Sequence, residues 1–316
     1  MTDVKKQRLV QAFKIIGFFA AIVAVNAVLY FGMRPRSIPG PTRAFRTYEL
    51  NRVFSERENS IDVVYVGHSS VYFGVSPMEI YDKHGIAGYD YSQALMLPWE
   101  TYLCLVDLYE KQCPKLVMLE VDQFFYDDFG FMFNSFAKRV TLSVFPFYES
   151  HLYWRNGFGA PPRDPNKAYA KRDAIVPFDG EYDYTPTDEV YEMHELHKKY
   201  LYKIVELCRE KGSEVAFFEI PTHFKYSYAK HNCAQKYADE FGVKFLDLNN
   251  VDVGLDWSKD TCDGGNHLNY AGAFKVSEYL GEWIEGNFEL PDRRNDEAYA
   301  DWNDDLVEYK RNVSGE

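Results

Sequence analysis

Hydrophobic positions along the chain follow two periods and one long unbroken run. Residues 15 to 33, IIGFFAAIVAVNAVLYFGM, carry no charge. At about 1.5 Å per helical residue that run is long enough to cross a hydrocarbon core. Short β-branched or apolar runs come next: Ile61 to Val66 (IDVVYV), Gly88 to Ser92, Leu116 to Val121 (LVMLEV), Val215 to Ile220 (VAFFEI) and Val243 to Leu248. Each has the length and composition of a buried strand. Between them the pattern shifts to helical spacing. A polar helix is expected over about Thr42 to Ser55, then one opened by Ser76-Pro77 and ending at Gly85. Pro98 to Gln112, Thr187 to Lys211, Ala229 to Phe241 and Tyr270 to Glu285 complete the set. On the last, Val276, Leu280, Trp283 and Ile284 share one stripe.

Strands alternating with helices predict an α/β domain: a three-layer αβα sandwich around a mostly parallel five-stranded sheet, preceded by one transmembrane helix. The expected organisation is a cytoplasmic stub and anchor (1–33), a linker and helix (34–60), an α/β domain (61–290) and an acidic, peripheral tail (291–316). Residues 123–186 break the alternation. This aromatic, Pro-containing stretch is too long for a connection and reads either as a lid-like insertion or as a padding subdomain. In such sheets ligands bind at the carboxyl ends of the strands.

The flanks of the apolar run refine the anchor. Lys5, Lys6, Arg8 and Lys14 precede it and favour a cytoplasmic N-terminus, with the domain outside the cytoplasm. Arg34, Arg36, Arg43 and Arg46 follow and weaken the asymmetry. Val25-Asn26-Ala27 would suit signal cleavage, but the apolar run continues through Phe31, which favours an uncleaved anchor.

The 316 residues carry a net charge of −13 and no basic stripe, which argues against nucleic-acid binding. Tyr (25) and Phe (24) are abundant enough to serve a groove as well as a core. Five Cys without a CxxC spacing offer neither a zinc knuckle nor a redox motif, and no cofactor or metal is expected. Cys104, Cys113 and Cys208 read as small core residues, while Cys233 and Cys262 are the pair available for a disulfide outside the cell. His194 and His197 stand three apart, so they are not an HExxH zinc motif, and their charged helix suggests a solvated face. Asn312-Val313-Ser314 fits a glycosylation sequon.

Two segments carry candidate chemistry. Gly67-His68-Ser69-Ser70 follows the first strand, where Gly67 permits a tight turn and the next helix can aim N–H groups at an oxyanion. Taken alone, a serine after a strand is more often a helix cap than a nucleophile. Asp260 to Asn269 places acidic residues and His267 in a Gly-rich loop ahead of the last helix. A serine hydroxyl needs a neutral imidazole to take its proton, and the imidazole needs a partner to fix its tautomer. Asp260 and Asp263 both stand near His267, and taken alone the segment reads more readily as a His capping a helix beside an Asp turn. His223, after the fourth strand, faces the same edge.

Together these segments resemble the SGNH (GDSL-like) hydrolases. Gly67-His68-Ser69 with Gly74 looks like their first block, and Asp263 with His267 like their last. The stretches GYDYSQALMLPWETYLCLVDLYEKQCPKLVMLEV and HLNYAGAFKVSEYL are similar to a bacterial membrane-anchored branch that includes the D-alanyl-lipoteichoic acid transfer protein and alginate O-acetylation proteins. The resemblance spans roughly residues 60 to 285, without the insertion. It implies a serine esterase or O-acyltransferase with Ser69 as nucleophile, His267 as base and Asp263 as its partner. The implied substrate is an acylated cell-envelope glycan or teichoic-acid-like polymer, with an integral-membrane O-acyltransferase as partner. His68 replaces the family's Asp before the nucleophile. Asp263 stands one residue further from His267 than the usual spacing, with Gly264 at the usual site. Gln93 and Asp122 stand where the central oxyanion blocks would lie, so the hole would combine the Ser69 N–H with a group from Gln93. The other class left open is a non-catalytic envelope protein that keeps the fold and binds polymer or a membrane partner.

Overall fold

The computed structural model describes residues 3–33, 38, 47–126, 128–145 and 161–315. Five strands form one all-parallel sheet in the order β2-β1-β3-β4-β5: β1 Val63–Val66, β2 Gly88–Asp90, β3 Leu116–Glu120, β4 Glu214–Glu219 and β5 Lys244–Asp247. The described helices are α1 Asp3–Met33, α2 Tyr48–Asn51, α3 Ser69–Gly74, α4 Pro77–His84, α5 Pro98–Leu108, α6 Phe129–Val144, α7 Glu195–Glu210, α8 Tyr228–Phe241, α9 Tyr270–Asn287 and α10 Ala300–Ser314. The fold is the expected αβα sandwich.

The strands are apolar because both of their faces are covered. Val64, Val66, Val117 and Leu119 pack with Leu105 of α5 and Ile204 of α7 in one core cluster. Their neighbours Val63, Tyr65 and Met118 point the other way, onto Ile80 of α4 and Val276 and Leu280 of α9. This two-residue alternation puts continuous apolar runs between two helical layers.

Several expectations change on contact with the structure. The helix expected from Thr187 begins at Glu195, capped by His194, and residues 187–194 are irregular chain. The polar helix expected over 42–55 is, among the described residues, only α2 and one 3₁₀ turn, Arg52–Ser55; residues 42–46 lie outside the described residues. His197 is fully buried rather than on a solvated face, with Nδ1 2.9 Å from the Phe124 carbonyl; His194 caps α7. Cys113 is exposed instead of core, while Cys104 and Cys208 are buried. None of the five cysteines, Cys233 and Cys262 included, is joined in a disulfide. The acidic C-terminal segment is not peripheral. Trp302 and Tyr309 of α10 are buried, and the Tyr309 hydroxyl reaches Ser76 Oγ and Glu79 Oε1, each at 2.8 Å. Lys167, also buried, links Glu56 (2.9 Å) to Asp305 (2.5 Å) and lies over the Trp302 ring. Burial of aromatic positions outweighed the charge of the segment between them.

Helix α1 projects its apolar side chains outward; an 18-residue window within Val4–Gly32 reaches a mean hydropathy of 2.2, and the helix is long and apolar enough to cross a membrane.

Candidate active site

Residues that follow the strands converge at the carboxyl edge of the sheet. β1 ends at Val66, and Gly67 turns the chain into α3. A Cβ at Gly67 would collide with the Glu120 carboxylate and with Val71, so only glycine allows β1 and β3 to close here. Ser69 is then the first residue of α3.

Three side chains line up. Ser69 Oγ lies 2.8 Å from His267 Nε2. His267 Nδ1 lies 2.5 Å from Asp263 Oδ2, and the His267 backbone N–H donates to Asp263 Oδ1 at 2.7 Å. The carboxylate thus grips both ring and backbone. With Nδ1–H donating to Asp263, Nε2 is left to accept from the serine hydroxyl. Asp263 is part-exposed and His267 mostly buried. Asp260 is turned away: its carboxylate takes Lys275 Nζ (2.6 Å) and the Asp256 N–H (2.7 Å). Of the two acids considered for the partner of His267, Asp263 is the one that touches it.

The loop that carries Asp263 and His267 is strapped by the end of the 123–186 stretch. Ala170 N–H donates to Tyr72 O (2.8 Å), Val176 N–H to Thr261 O (3.0 Å), and Gly264 N–H to Val176 O (3.0 Å). One extended segment therefore joins α3, which carries Ser69, to the loop that carries His267. Phe73 packs edge-on against the His267 ring at 5.0 Å, and the Arg172 guanidinium lies 4.8 Å over Phe73. Sequence reasoning missed these residues, because nothing in the pattern of 161–182 marks it as paired with distant loops.

The remaining predicted residues divide. Gln93 follows β2 and is buried; its N–H meets Gly67 O at 3.4 Å, and its Oε1 accepts from Thr47 N–H at 3.3 Å. His223 borders the loop through its N–H on Gly265 O (2.7 Å), with its ring stacked between Trp257 (3.8 Å) and Tyr182 (4.5 Å). Burial holds this imidazole below its ordinary pKa, and Nδ1 has no hydrogen-bond partner among the described residues.

Asp122 belongs to a buried network behind Ser69. His68 Nε2 meets Asp122 Oδ2 and its Nδ1 meets Glu120 Oε1, both at 3.2 Å. Ser70 Oγ adds contacts to His68 Nδ1 (2.8 Å) and to Glu120. The His68 N–H donates to Glu120 Oε2 (2.8 Å), and the Asp122 N–H to Glu219 Oε2 (2.9 Å). Lys230 Nζ reaches Asp122 Oδ1 at 3.3 Å. Burial alone would lower the His68 pKa, but the flanking carboxylates outweigh it and raise it. Burial and the neighbouring acids push Glu219 far above the usual carboxyl range. The cluster fixes the turn just before Ser69. A signal for it was present: Glu120 and Glu219 are lone acids inside apolar strand runs. Among the described residues no group of His, Cys, Asp and Glu is arranged to hold a metal ion.

No protein-family model matches the chain, and no curated protein matches it. Solved structures similar to it include a protein assigned to the G-D-S-L lipolytic family from Desulfitobacterium hafniense DCB-2, at 14% identity, covering 70% of this chain and 98% of that one, with a TM-score of 0.37. A GDSL-like lipase from Bacteroides thetaiotaomicron VPI-5482 matches at 12% identity over 72% of this chain and 88% of its own, with a TM-score of 0.36. A structure described as a platelet activating factor from Streptococcus pneumonia matches at 11% identity over 86% and 99%, with a TM-score of 0.41. At these identities the similarity concerns the chain path alone; the chemistry rests on this chain's own residues.

Proposed function

We propose that the chain is a membrane-anchored serine esterase or O-acyltransferase that works through an acyl-enzyme. The observation that carries this reading is the hydrogen-bonded line Ser69 Oγ–His267 Nε2–Asp263, built from segments at opposite ends of the domain. A strand-end serine with an oriented imidazole is the arrangement a hydroxyl nucleophile requires. Ser69 Oγ attacks the ester carbonyl while His267 Nε2 takes its proton. The negative oxygen of the tetrahedral adduct is met by the Ser69 N–H and the side-chain amide of Gln93. His267 returns the proton to the leaving alcohol, and the acyl group stays on Ser69. Water as second acceptor gives hydrolysis; a sugar or polyol hydroxyl gives transfer. Asp263 holds the imidazolium that forms in each half-reaction.

The proposed substrates are acyl esters of a cell-envelope polysaccharide or teichoic-acid-like polymer. The apolar helix α1 supports this assignment, because it would hold the domain beside such polymers on the outer side of a cell membrane. An integral-membrane O-acyltransferase is the proposed partner. The full-length protein is expected to release p-nitrophenol from p-nitrophenyl acetate, and Ser69→Ala to reduce release to background. Equal release by both would reject the reading in favour of a binding protein.

A further inference from the structure

Helix α6 carries a stripe that the proposed chemistry does not use. Phe129, Phe133, Phe136, Val140 and Val144 recur at helical spacing and lie on one face. Their exposures are 80, 62, 61, 45 and 58%. The opposite face holds the helix to the domain: Ser135 and Leu142 are buried, and Trp99 Nε1 donates to Ser135 Oγ at 2.8 Å. Phe129, Phe133 and Phe136 also border a cavity of about 370 Å³ whose other lining is Trp99, Met132, Leu196, Tyr200 and one cation, Arg139. A stripe of exposed Phe and Val this long is costly in water and marks a contact surface.

We propose that α6 lies in the interface of the same bilayer that α1 crosses, so that the domain touches the membrane through this helix as well as through its anchor. The inference rests on the anchored reading of α1. Two observations select a lipid surface as occupant. Only residues 34–47 separate α1 from α2, a tether of at most about 50 Å, which keeps the domain against the membrane. In a chain of net charge −13, α6 contains Lys138 and Arg139 and no acidic residue. Arg139 borders the apolar face beside Phe136, and an apolar face with a cation at its border and no acid on the helix matches the acyl–headgroup boundary of an anionic membrane.

The contact would also orient the site. Phe131 of α6 meets the Tyr126 ring at 6.2 Å, and Tyr126 meets the His68 ring at 5.4 Å, one residue before Ser69. A docked α6 brings the catalytic edge close to the membrane, where an acyl donor delivered through the bilayer would emerge.

The test is photolabelling of the full-length protein in phosphatidylcholine–phosphatidylglycerol vesicles containing a diazirine-acyl phosphatidylcholine, with adducts mapped by peptide mass spectrometry. Adducts are expected on α1 and on the 129–145 segment. In Phe133→Asp/Phe136→Asp the segment's adducts should fall roughly ten-fold while α1 stays labelled. Hydrolysis of a soluble ester by the double variant, unchanged from wild type, would show that its fold is intact. Labelled α1 with an unlabelled 129–145 segment would overturn the docking and leave the anchor standing. Segment labelling undiminished in the double variant would overturn it too. An unlabelled α1 would reject the anchor itself, and the docking with it.

Discussion

Ser69 Oγ and His267 Nε2 lie 2.8 Å apart although 198 residues separate them in sequence. The contact exists because β1 delivers Ser69 to the carboxyl edge of the sheet while the loop before α9 folds back over the same edge. The strap 170–178 ties the two together. The spacing is within the hydrogen-bond reach that a general base and a hydroxyl nucleophile require.

Asp263 and Asp260 should separate cleanly by mutation. Asp263→Asn removes the acceptor that fixes the His267 tautomer, so kcat for ester hydrolysis is expected to fall by about 10²- to 10⁴-fold with KM little changed. Asp260→Asn leaves His267 untouched and weakens the bond to Lys275, so its effect should appear in thermal stability and not in kcat. Steady-state kinetics with a soluble ester decide between them.

Gly67→Ala drives a methyl group into the Glu120 carboxylate and Val71. Overpacking of this kind typically costs about 1–3 kcal/mol. Because the strain falls two residues before Ser69, activity should drop further than stability does. Denaturant unfolding and ester hydrolysis on the same preparation test this.

The buried acids predict falling stability at alkaline pH. Glu219 binds its proton more tightly folded than unfolded, as does His68. For such groups stability is complete below the unfolded pKa and is lost as pH rises through the folded value. For His68 the loss begins near 6.5, and for Glu219 near 4.5. Asp122 acts oppositely: its pKa is held down despite burial by His68 and Lys230, so its contribution is lost as pH falls below 3.8. Melting curves from pH 6 to 9 should therefore decline. Glu219→Gln, which keeps an acceptor for the Asp122 N–H, should flatten the decline by several degrees. An unchanged slope would mean that Glu219 is already ionised in the fold.

The C-terminal helix is expected to be integral to folding. Trp302→Ala opens a cavity in a fully buried site and should cost about 3–5 kcal/mol. Tyr309→Phe loses its bonds to Ser76 and Glu79 and should cost about 1–2 kcal/mol. Chemical denaturation of each variant measures both.

Much of the fold was legible because its strands are short apolar runs with helical patterns between them. The observed strands fall within a residue or two of those runs. Ser69 stood out as the serine directly after the first strand, and Asp263 with His267 as an acid and an imidazole in a Gly-rich loop ahead of the last helix; the structure brings these three side chains into hydrogen-bond contact. What escaped notice depended on distant partners. Nothing local marks 170–178 as a strap, or α10 as core: between Trp302 and Tyr309, Asp304 and Glu308 face water while Asp305 turns inward with the rings to meet Lys167. His197 was misjudged for the same reason, since a charged helix can still bury one side against Phe124. Glu120 and Glu219 could have been flagged, because a carboxylate within a buried strand requires a partner.

The central claim is that Ser69 is a nucleophile activated by His267. Its most direct measurement is intact-protein mass spectrometry of the full-length chain after exposure to a fluorophosphonate, with peptide mapping of the adduct. One adduct on Ser69, absent in Ser69→Ala and slowed by at least about 10²-fold in His267→Ala, is the predicted result. A folded protein that stays unmodified, or one that reacts equally fast without His267, would contradict it.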